Sequence, residues 1–352
     1  MKVLGLAADN GGCGFYRMRA PAEEAAKLGV DITIEEEIGV EATKDTKGGL
    51  VNVSEVYTDA DLIIFQRPLD NAMTAVLKQA KRQGIATMVE IDDDFSTVHT
   101  RNVAHSAMNG KESGHQWVQA AAELADHVSV STPQLAKYAR HGRYSVLRNC
   151  VPDSIFVTTT PKSDQIWPRV GWSGTVQTHP TDLQETKGRV GEVLKANGLP
   201  FNVIGDGEFV ARNLGLYAET EVFATGWVPL DMYYQYLYSF VDIGIVPLEL
   251  SPFNQAKSAL KGLEYAALGI PFVASPTREY ERLEAYGIGK TAQSPGEWKK
   301  HLQRMIDRPA ETERIAKESR DRIEAEHTYS VNAPQWIEAW EKAIHYRKTH
   351  ND

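Results

Sequence analysis

Residues 242–275, DIGIVPLELSPFNQAKSALKGLEYAALGIPFVAS, combine two short apolar runs with a polar loop and a segment of helical spacing between them. The pattern predicts a strand, a helix over residues 255–269 and a second strand that begins at residue 271. Two strands joined through a helix lie parallel in one sheet. The loop and the helix start then follow the carboxyl end of the first strand, which is the edge where open α/β sheets bind ligands.

The same alternation of strand-like and helix-like segments runs through the whole chain and is interrupted by a loop near residue 155. Before the loop, the predicted strands lie at 2–8, 30–37, 61–67, 86–92, 127–132 and 144–149, and the predicted helices at 17–29, 71–84, 114–126 and 133–142. After it, the predicted strands lie at 169–174, 201–207, 222–227, 242–248 and 271–275, and the predicted helices at 182–198, 230–240, 255–269, 295–307, 310–327 and 331–348. This order predicts an α/β protein with two Rossmann-like doubly wound domains that face each other across a cleft. We expect the domains at residues 1–155 and 156–330, with a C-terminal helix over 331–352 that returns toward the first domain.

Composition limits the class of protein. The chain has 352 residues, 42% of them hydrophobic and 24% charged, as in a globular protein large enough for two domains. Its net charge of -9 gives no indication of a nucleic acid acceptor, although one remains possible. The sequence has no apolar run near the ~20 residues that span a bilayer, so we expect no stable membrane insertion. The first residues lack the pattern of a secretory signal, which predicts a cytoplasmic location.

The predicted helix start at the sheet edge carries groups that suit an anion. Free backbone N–H groups and the helix dipole favour negative charge there. Lys257 adds a full positive charge, while Asn254 and Ser258 add polar groups. Glu264 follows about two turns later in the same predicted helix. Alternatively, Lys257 and Lys261 form an exposed helix face and Glu264 is a solvated carboxylate.

The segment KSALKGLEYAALGIPFVAS, residues 257–275, resembles the donor-binding helix of the GT-B glycosyltransferases. The likeness is to the retaining group 1, or family 4-like, enzymes that use nucleotide-diphosphate sugars. It implies that Lys257 neutralises the diphosphate and that Glu264 hydrogen-bonds the ribose, so both are assigned to catalysis and donor binding. The family often has a glutamate eight positions before Glu264 that contacts the sugar, whereas this chain has Ala256.

Other motifs resemble the same family in the expected order, and the resemblance covers nearly the whole chain. It implies an acceptor-binding first domain, a donor-binding second domain and no cofactor besides the nucleotide-diphosphate sugar. The segments that carry it are CGFYRMRAPAEEAAKLG at 13–29, VGWSGTVQTHPTDL at 170–183, NVIGDGE at 202–208 and GWVPLDMYYQYLYSFVDIGIVPL at 226–248. The implied ligand-binding residues are Gly12 and Gly14 beneath the sugar and acceptor, Gly174 and Thr175 at the diphosphate, Gly205 and Asp206 in the turn of the segment NVIGDGE, and Trp227 or Val228 at the nucleobase. Without the resemblance, the glycines at 11, 12 and 14 indicate no more than a tight strand-to-helix turn.

Three consecutive carboxylates, Asp92, Asp93 and Asp94, follow a predicted strand of the first domain. We expect Asp92 to act in catalysis by binding acceptor or sugar hydroxyls; the alternatives for the triplet are a helix cap or a divalent metal site. We favour the reading without a metal. His105 is our candidate for proton transfer, and His115 is the second histidine near this edge. The alternative is that both histidines lie in exposed loops.

These inferences together predict transfer of a sugar from a nucleotide-diphosphate sugar to an acceptor hydroxyl, with retention and without a metal. The acceptor stays open among glycans, lipids, proteins and modified DNA bases. Two alternatives are a nucleotide-sugar binding module without transfer activity and a nucleotide-sugar epimerase. A dehydrogenase is disfavoured because no Gly-x-Gly-x-x-Gly follows a strand with an acidic residue at the required distance.

Overall fold

The computed structural model describes residues 1–44, 50–110, 113–158 and 168–350. The described residues form two six-stranded parallel sheets covered by helices, together with one antiparallel hairpin. The predicted α/β class with two parallel sheets is therefore confirmed. Among the helices in these ranges, we find none that combines the length and the apolar character needed to cross a membrane.

The first sheet has the strand order β2-β1-β5-β6-β7-β8, with a hairpin of β3 and β4 inserted beside it. Strands β5, β6 and β7 are buried at every position, as expected for parallel strands covered on both faces. The strands are β1 Lys2–Leu6, β2 Asp31–Glu35, β3 Val40–Lys44, β4 Leu50–Val56, β5 Leu62–Gln66, β6 Ala86–Ile91, β7 His127–Val130 and β8 Tyr144–Val146. The helices are α1 Gly12–Gly14, α2 Ala20–Lys27, α3 Asn71–Arg82, α4 His105–Asn109 and α5 Gly114–Leu124, with a π-helical turn at Phe15–Arg19 between α1 and α2.

The second sheet has the order β11-β10-β9-β12-β13-β14. It is also doubly wound, but three successive strands run outward from β9 to one edge, whereas in the first sheet only β1 and β2 lie on that side of β5. Its strands are β9 Val170–Ser173, β10 Phe201–Ile204, β11 Val222–Ala224, β12 Ile243–Val246, β13 Phe272–Ala274 and β14 Lys290–Thr291. The α-helices of this half and the C-terminal region are α6 Arg189–Asn197, α7 Gly207–Leu214, α8 Leu230–Phe240, α9 Pro252–Gln255, α10 Leu260–Ala267, α11 Arg278–Ala285, α12 Pro295–Asp307, α13 Pro309–Glu326 and α14 Tyr329–Thr349.

The last helix, α14, packs against the first sheet although it follows the second one in the chain. Its buried side chains Trp336 and Trp340 share an apolar core with Leu62 and Met88 of β5 and β6. Burial of such large aromatic side chains is worth several kcal/mol, by the rule of about 25 cal/mol per Å² of apolar surface. The two sheets are thus held together by the C-terminal helix as well as by the chain crossing near residue 155. The bounds of the domains themselves stay predictions.

Three predicted helices differ from the structure. The predicted helix 255–269 is interrupted, because α9 ends at Gln255 and α10 begins at Leu260. At the interruption, Ala256 is buried and its carbonyl accepts a hydrogen bond from the Thr132 hydroxyl of the first half at 2.7 Å. The predicted helix 182–198 is broken at Lys187 and Gly188, which have φ of 48° and 74°. The segment predicted as a helix at 133–142 forms a 3₁₀ helix at Pro133–Tyr138.

Candidate functional site

A cleft of about 490 Å³ lies between the carboxyl ends of the two sheets. A cavity of this volume is in the range that holds a small-molecule ligand. The first half contributes the polar and glycine residues Asp9, Gly11, Gly12, Cys13, Arg17, Arg67, Asp92, Asp93 and Asn149 to its lining. The second half contributes Gly174, Thr175, Thr178, His179, Gly226, Trp227, Val228, Lys257, Ser258, Lys261 and Glu264, among others.

Lys257 and Ser258 lie between α9 and α10, just before the amino terminus of α10, and both contact the first half of the chain. The Lys257 Nζ atom lies 3.0 Å from Oδ1 of Asp93. Burial alone lowers the pKa of Lys257, but the Asp93 carboxylate reverses this effect and the pKa is raised. The Ser258 hydroxyl accepts a hydrogen bond from the Asn149 side chain at 2.8 Å. Lys257 is therefore a charged group that faces the cleft, as predicted, and its partner is a carboxylate of the opposite domain.

Glu264 points into the cleft from α10, so the sequence alternative of a solvated carboxylate is wrong. It is buried and accepts hydrogen bonds from the hydroxyl of Tyr16, which belongs to the first half, and from Tyr233 at 3.3 Å. The Tyr16 hydroxyl also lies 2.5 Å from that of Tyr234. Burial raises the pKa of Glu264 to about 7, even though the two tyrosines and Lys261 favour the ionised form.

Lys261 is a second cation in the cleft wall, so the alternative reading of an exposed face is wrong for it. Its ammonium group donates a hydrogen bond to the Ser173 carbonyl and lies 4.9 Å from the centre of the Trp172 ring. Burial lowers the pKa of Lys261 to about 8. Gly174 has a φ of +154°, and a Cβ there would lie 2.7 Å from the Trp172 ring and 2.9 Å from Lys261 Nζ. The site therefore needs glycine at 174 for the lysine to reach the end of β9.

Three of the predicted donor-binding residues support the cleft and do not line it. Gly205 has a φ of +144°, and a Cβ there would lie 2.6 Å from the Gly174 carbonyl oxygen. Asp206 caps α7 by accepting the Phe209 N–H at 3.0 Å. The buried Asn254 side chain donates to Asp182 Oδ1 at 2.7 Å and to the Glu249 carbonyl at 3.0 Å. Thr175, by contrast, lines the cleft as expected.

The glycine loop after β1 separates into two kinds of position. Gly14 is required by packing, since a Cβ there would lie 1.9 Å from the carbonyl oxygen of Asp9. Gly12 lines the cleft and has open space around the position of a Cβ. The Asp9 carboxylate accepts the N–H groups of Gly11 at 2.8 Å and Gly14 at 3.1 Å, so these donors are already satisfied by the chain itself. The loop leaves room for a ligand at Gly12 but does not offer Gly11 and Gly14 N–H groups to a phosphate.

Each of the three consecutive aspartates forms an ion pair with a different cation. Asp92 forms a two-bond pair with Arg67, Asp93 pairs with Lys257, and Asp94 lies 2.6 Å from Lys137. Burial favours the neutral form of Asp92, but Arg67 outweighs it and the pKa of Asp92 is lowered. Arg67 itself has a φ of 49°, a strained backbone of the kind that clusters at functional sites. Within the described ranges, no group of three or more His, Cys, Asp and Glu side chains is arranged to hold a metal ion.

The structure does not bring the predicted histidines to the cleft. His105 begins the short helix α4 and is not one of the lining residues. His115 contacts the Met108 carbonyl at 2.6 Å, within the first half. The proposed proton transfer by His105 therefore has no support from its position. Spacing in the sequence does not reveal this, because both histidines follow the same strand as Asp92.

The nucleobase candidates lie at the mouth of the cleft. Trp227 is 81% exposed although it lines the cavity, whereas Val228 is buried. An aromatic ring so exposed beside a polar cleft offers a flat face for stacking. Two of the residues that sequence reasoning missed are Arg67, which directly follows β5, and His179, which follows β9 after a 3₁₀ turn at Val176–Thr178. Their position after a strand is the only signal that the sequence contains.

Comparison with known proteins assigns a class to this fold and cleft. Residues 189–338 match the family described as Glycosyl transferase-like. Among solved structures, sucrose-phosphate synthase from Thermosynechococcus elongatus has a TM-score of 0.62 at 15% identity, over 97% of this chain and 98% of the other. The catalytic domain of starch synthase IV from Arabidopsis thaliana, bound to ADP and acarbose, has a TM-score of 0.65 at 11% identity, over 98% of this chain and 99% of the other. A putative UDP-N-acetylglucosamine 2-epimerase from Listeria monocytogenes has a TM-score of 0.55 at 13% identity, over 99% and 98% of the two chains.

These structural likenesses show that the chain has the GT-B fold, as predicted. The family match over residues 189–338 adds the class of activity that the fold by itself leaves open. The family match and the fold together indicate a glycosyltransferase with the GT-B fold. A search of curated proteins gave no match.

Proposed function

We propose that the chain moves a sugar from a nucleotide-diphosphate sugar to an acceptor hydroxyl, with retention of configuration and without a metal. The donor binds to the second half of the chain, with its diphosphate at Lys257 and Lys261, its ribose at Glu264 and its base against Trp227. The acceptor enters from the first half. A cytoplasmic location belongs to the same proposal, since nucleotide sugars are the substrate.

The observation that carries the proposal is the placement of Lys257, Lys261 and Glu264 at the amino terminus and first turns of α10, around Gly174. Both lysines and Ser258, which precedes the helix, line the same cleft, and the Lys261 ammonium group lies at the carboxyl end of β9. This arrangement provides preorganised positive charge where a leaving diphosphate develops negative charge. A divalent cation performs the same task in other enzymes, and here two lysines supply the charge.

Retention follows from a step in which the acceptor hydroxyl attacks on the face that the diphosphate leaves. The bond between the anomeric carbon and the phosphate oxygen breaks, and its electron pair stays on the phosphate. The new carbon–oxygen bond forms on the same face, and the departing phosphate oxygen takes the proton of the hydroxyl. Exclusion of water from the cleft would protect the donor from hydrolysis during this step.

The acceptor side of the cleft favours a neutral, hydroxyl-bearing acceptor over a polyanion. Asp9, Asp92 and Asp93 all line this side, and Arg67 is already engaged by Asp92. Carboxylates accept hydrogen bonds from hydroxyl groups but repel phosphate groups. The overall charge of -9 points in the same direction. A nucleic acid is therefore a disfavoured acceptor, because its backbone is a polyanion.

Binding of nucleoside diphosphates to variants tests the donor site. We expect Lys257→Ala and Glu264→Ala each to weaken UDP, GDP or ADP binding about 10-fold or more while the protein stays folded, since each removes a hydrogen bond that involves a charged or buried group. Isothermal titration calorimetry gives the affinities, and thermal melts check the fold. Lys317→Ala is the matched control, because Lys317 is an exposed lysine of α13 outside the cleft. Unchanged affinity in both site variants would contradict the proposal.

A nucleotide-sugar epimerase is the second candidate, because a putative epimerase shares the fold over nearly the whole chain. The two activities are separated by their products. A transferase releases nucleoside diphosphate only when an acceptor is present, whereas an epimerase converts the donor to its isomer without one. Analysis of donor mixtures by NMR, with and without acceptor sugars, distinguishes the two. A protein that binds the donor and does neither would be a binding module.

A further inference from the structure

His179 is a histidine of the cleft that the proposed function does not use. It lies in the loop after β9, at the carboxyl edge of the second sheet, and lines the cleft together with Gly174 and Thr178. The neighbouring loop of the first half is bonded to the same segment, through Asn102, which donates to the Thr178 carbonyl at 3.0 Å. The imidazole therefore sits on the donor side, next to the residues assigned to the diphosphate.

The orientation of the ring is fixed by Asp182. The His179 Nδ1 atom lies 2.6 Å from Oδ2 of Asp182. The other carboxylate oxygen of Asp182 accepts the Glu249 N–H at 2.9 Å and the Asn254 side chain at 2.7 Å. Burial favours the neutral form of Asp182, but His179 and these donors outweigh it and its pKa is lowered. An ionised carboxylate only accepts hydrogen bonds, so Nδ1 carries a proton and Nε2 is the ring atom left for a ligand.

Asn254 thus has a clear place in the site although it does not line the cleft. It was predicted to bind the donor, and the structure shows it holding the carboxylate that holds His179. Three groups on separate segments converge on Asp182: the imidazole, the backbone of the loop after β12 and the side chain of α9. Such a fully bonded, buried carboxylate is a typical support for a histidine that acts in a site.

The charges around His179 change when a diphosphate binds. Burial lowers the pKa of His179, Lys257 and Lys261 lower it further, and Asp182 opposes them. These effects favour the neutral imidazole, and in that form Nε2 has no proton to donate. A bound diphosphate cancels the field of the two lysines, so it favours the imidazolium, whose second positive N–H suits a phosphate oxygen.

We propose that His179, positioned by Asp182, is a further catalytic residue that takes up a proton as the diphosphate of the donor binds and donates an Nε2–H hydrogen bond to a phosphate oxygen of the leaving group. This inference rests on the proposed function, since it needs a diphosphate in the cleft. The proton comes from solvent during binding and stays on the imidazole through the transfer. The electron pair of the broken bond remains on the phosphate, where the imidazolium and the lysines stabilise it.

Proton uptake during binding tests the inference. Titrations with UDP, GDP, ADP and inorganic pyrophosphate at pH 7.5, in buffers of different ionisation enthalpy, give the number of protons taken up per ligand bound. Lys261 and Glu264 also titrate near neutrality, so the informative quantity is the difference between wild type and His179→Gln. We expect His179→Gln to lose a large fraction of one proton of uptake and to keep affinity within about 3-fold, because the amide N–H replaces the Nε2 donor.

His179→Asn is the matched second variant. Its shorter amide keeps a donor for Asp182 but has no group at the position of Nε2, so we expect affinity about 10-fold weaker as well as the loss of uptake. Asp182 acts as a positioning residue. The single variant Asp182→Asn should therefore take up fewer protons than wild type, whereas adding Asp182→Asn to His179→Gln should not change the uptake further. Thermal melts establish that each variant is folded before it is titrated.

The outcomes separate this inference from the proposed function. If wild type binds none of UDP, GDP, ADP and pyrophosphate, both the proposed function and the inference about His179 are refuted. If wild type binds one of them and the uptake is the same in His179→Gln, the inference is overturned and the donor site stands. Equal affinity of wild type and His179→Asn would also overturn it, because the imidazole would then not touch the diphosphate.

Discussion

The pair between Asp93 and Lys257 leads to a prediction that runs against the usual effect of a mutation in a binding site. Lys257, the cation assigned to the donor diphosphate, pairs with the carboxylate of Asp93 in the first half of the chain at 3.0 Å. A diphosphate must therefore displace Asp93 or share Lys257 with it. We expect Asp93→Asn to tighten the binding of nucleoside diphosphates, because it removes the competing charge and leaves a side chain of the same shape.

The magnitude follows from the geometry of the pair. The two side chains are 22% and 21% exposed, so they are neither fully solvated nor fully buried. Exposed ion pairs contribute about 0.2–1 kcal/mol, and hydrogen bonds to charged groups about 1.5–3 kcal/mol. A value between them, about 1–2 kcal/mol, corresponds to affinity roughly 5- to 30-fold tighter. The gain should shrink as salt is added, since a partly exposed pair is partly screened.

Calorimetric titration of UDP, GDP and ADP into wild type and Asp93→Asn at low and at moderate salt measures this effect. Asp321→Asn is the control, because it makes the same change in net charge at an exposed position of α13. Tighter binding in both variants would assign the effect to net charge and not to the pair. Unchanged or weaker binding in Asp93→Asn alone would refute the reasoning and would indicate that Asp93 itself contacts the ligand.

Three further predictions concern other parts of the cleft. Trp227→Ala should weaken the binding of nucleoside diphosphates by about 1–3 kcal/mol in the same titrations, because the base loses its stacking partner. The affinity for pyrophosphate should not change, because pyrophosphate has no base. Gly14→Ala should cost about 2–4 kcal/mol of unfolding free energy in urea melts because its Cβ would overlap the Asp9 carbonyl, whereas Gly12→Ala, with open space, should stay within about 0.5 kcal/mol. Burial raises the pKa of Glu264 to about 7 from its ordinary 4.5, so its stabilising effect is fully present below about pH 4.5 and is lost as pH rises through about 7. Glu264→Gln should reduce the fall in melting temperature across that interval, and an unchanged pH profile would contradict the assignment.

The sequence predicted the layout of the site better than its detail. The position of Lys257 and Glu264 after a buried strand was enough to place them at the carboxyl edge of a sheet, and the structure finds both in the cleft. The family resemblance implied that Asp206 binds the donor, and the position of Asn254 at the predicted helix start indicated the same role for it. They lie at the same edge but face inward to a helix start and to Asp182. Spacing along a chain gives the edge on which a residue lies and not the direction of its side chain.

The break between α9 and α10 shows a second limit. The periodicity of residues 255–269 fits one helix, but the structure has a break between α9 and α10, where residue 256 contacts another part of the chain. Ala256 is buried against the first half, where its carbonyl accepts the Thr132 hydroxyl, and a larger side chain at 256 would have to displace that packing. Ala256, which departs from the family pattern, is thus a buried residue packed in the core of the first half.

What the sequence by itself determined is the alternation of apolar strands and amphipathic helices, hence two parallel sheets and the edge that carries the site. The positions of the strands and helices can be predicted because they depend on the spacing of apolar residues within short segments of the chain. Only the tertiary structure decided that Asp93 meets Lys257, that Tyr16 meets Glu264 and that Asp182 orients His179. Each of those contacts depends on a hydrogen bond a few ångströms long, and the first two join residues far apart in the chain. Those two exist because folding brings the ends of the two sheets face to face, whereas the pair of Asp182 and His179 depends on the conformation of a single loop.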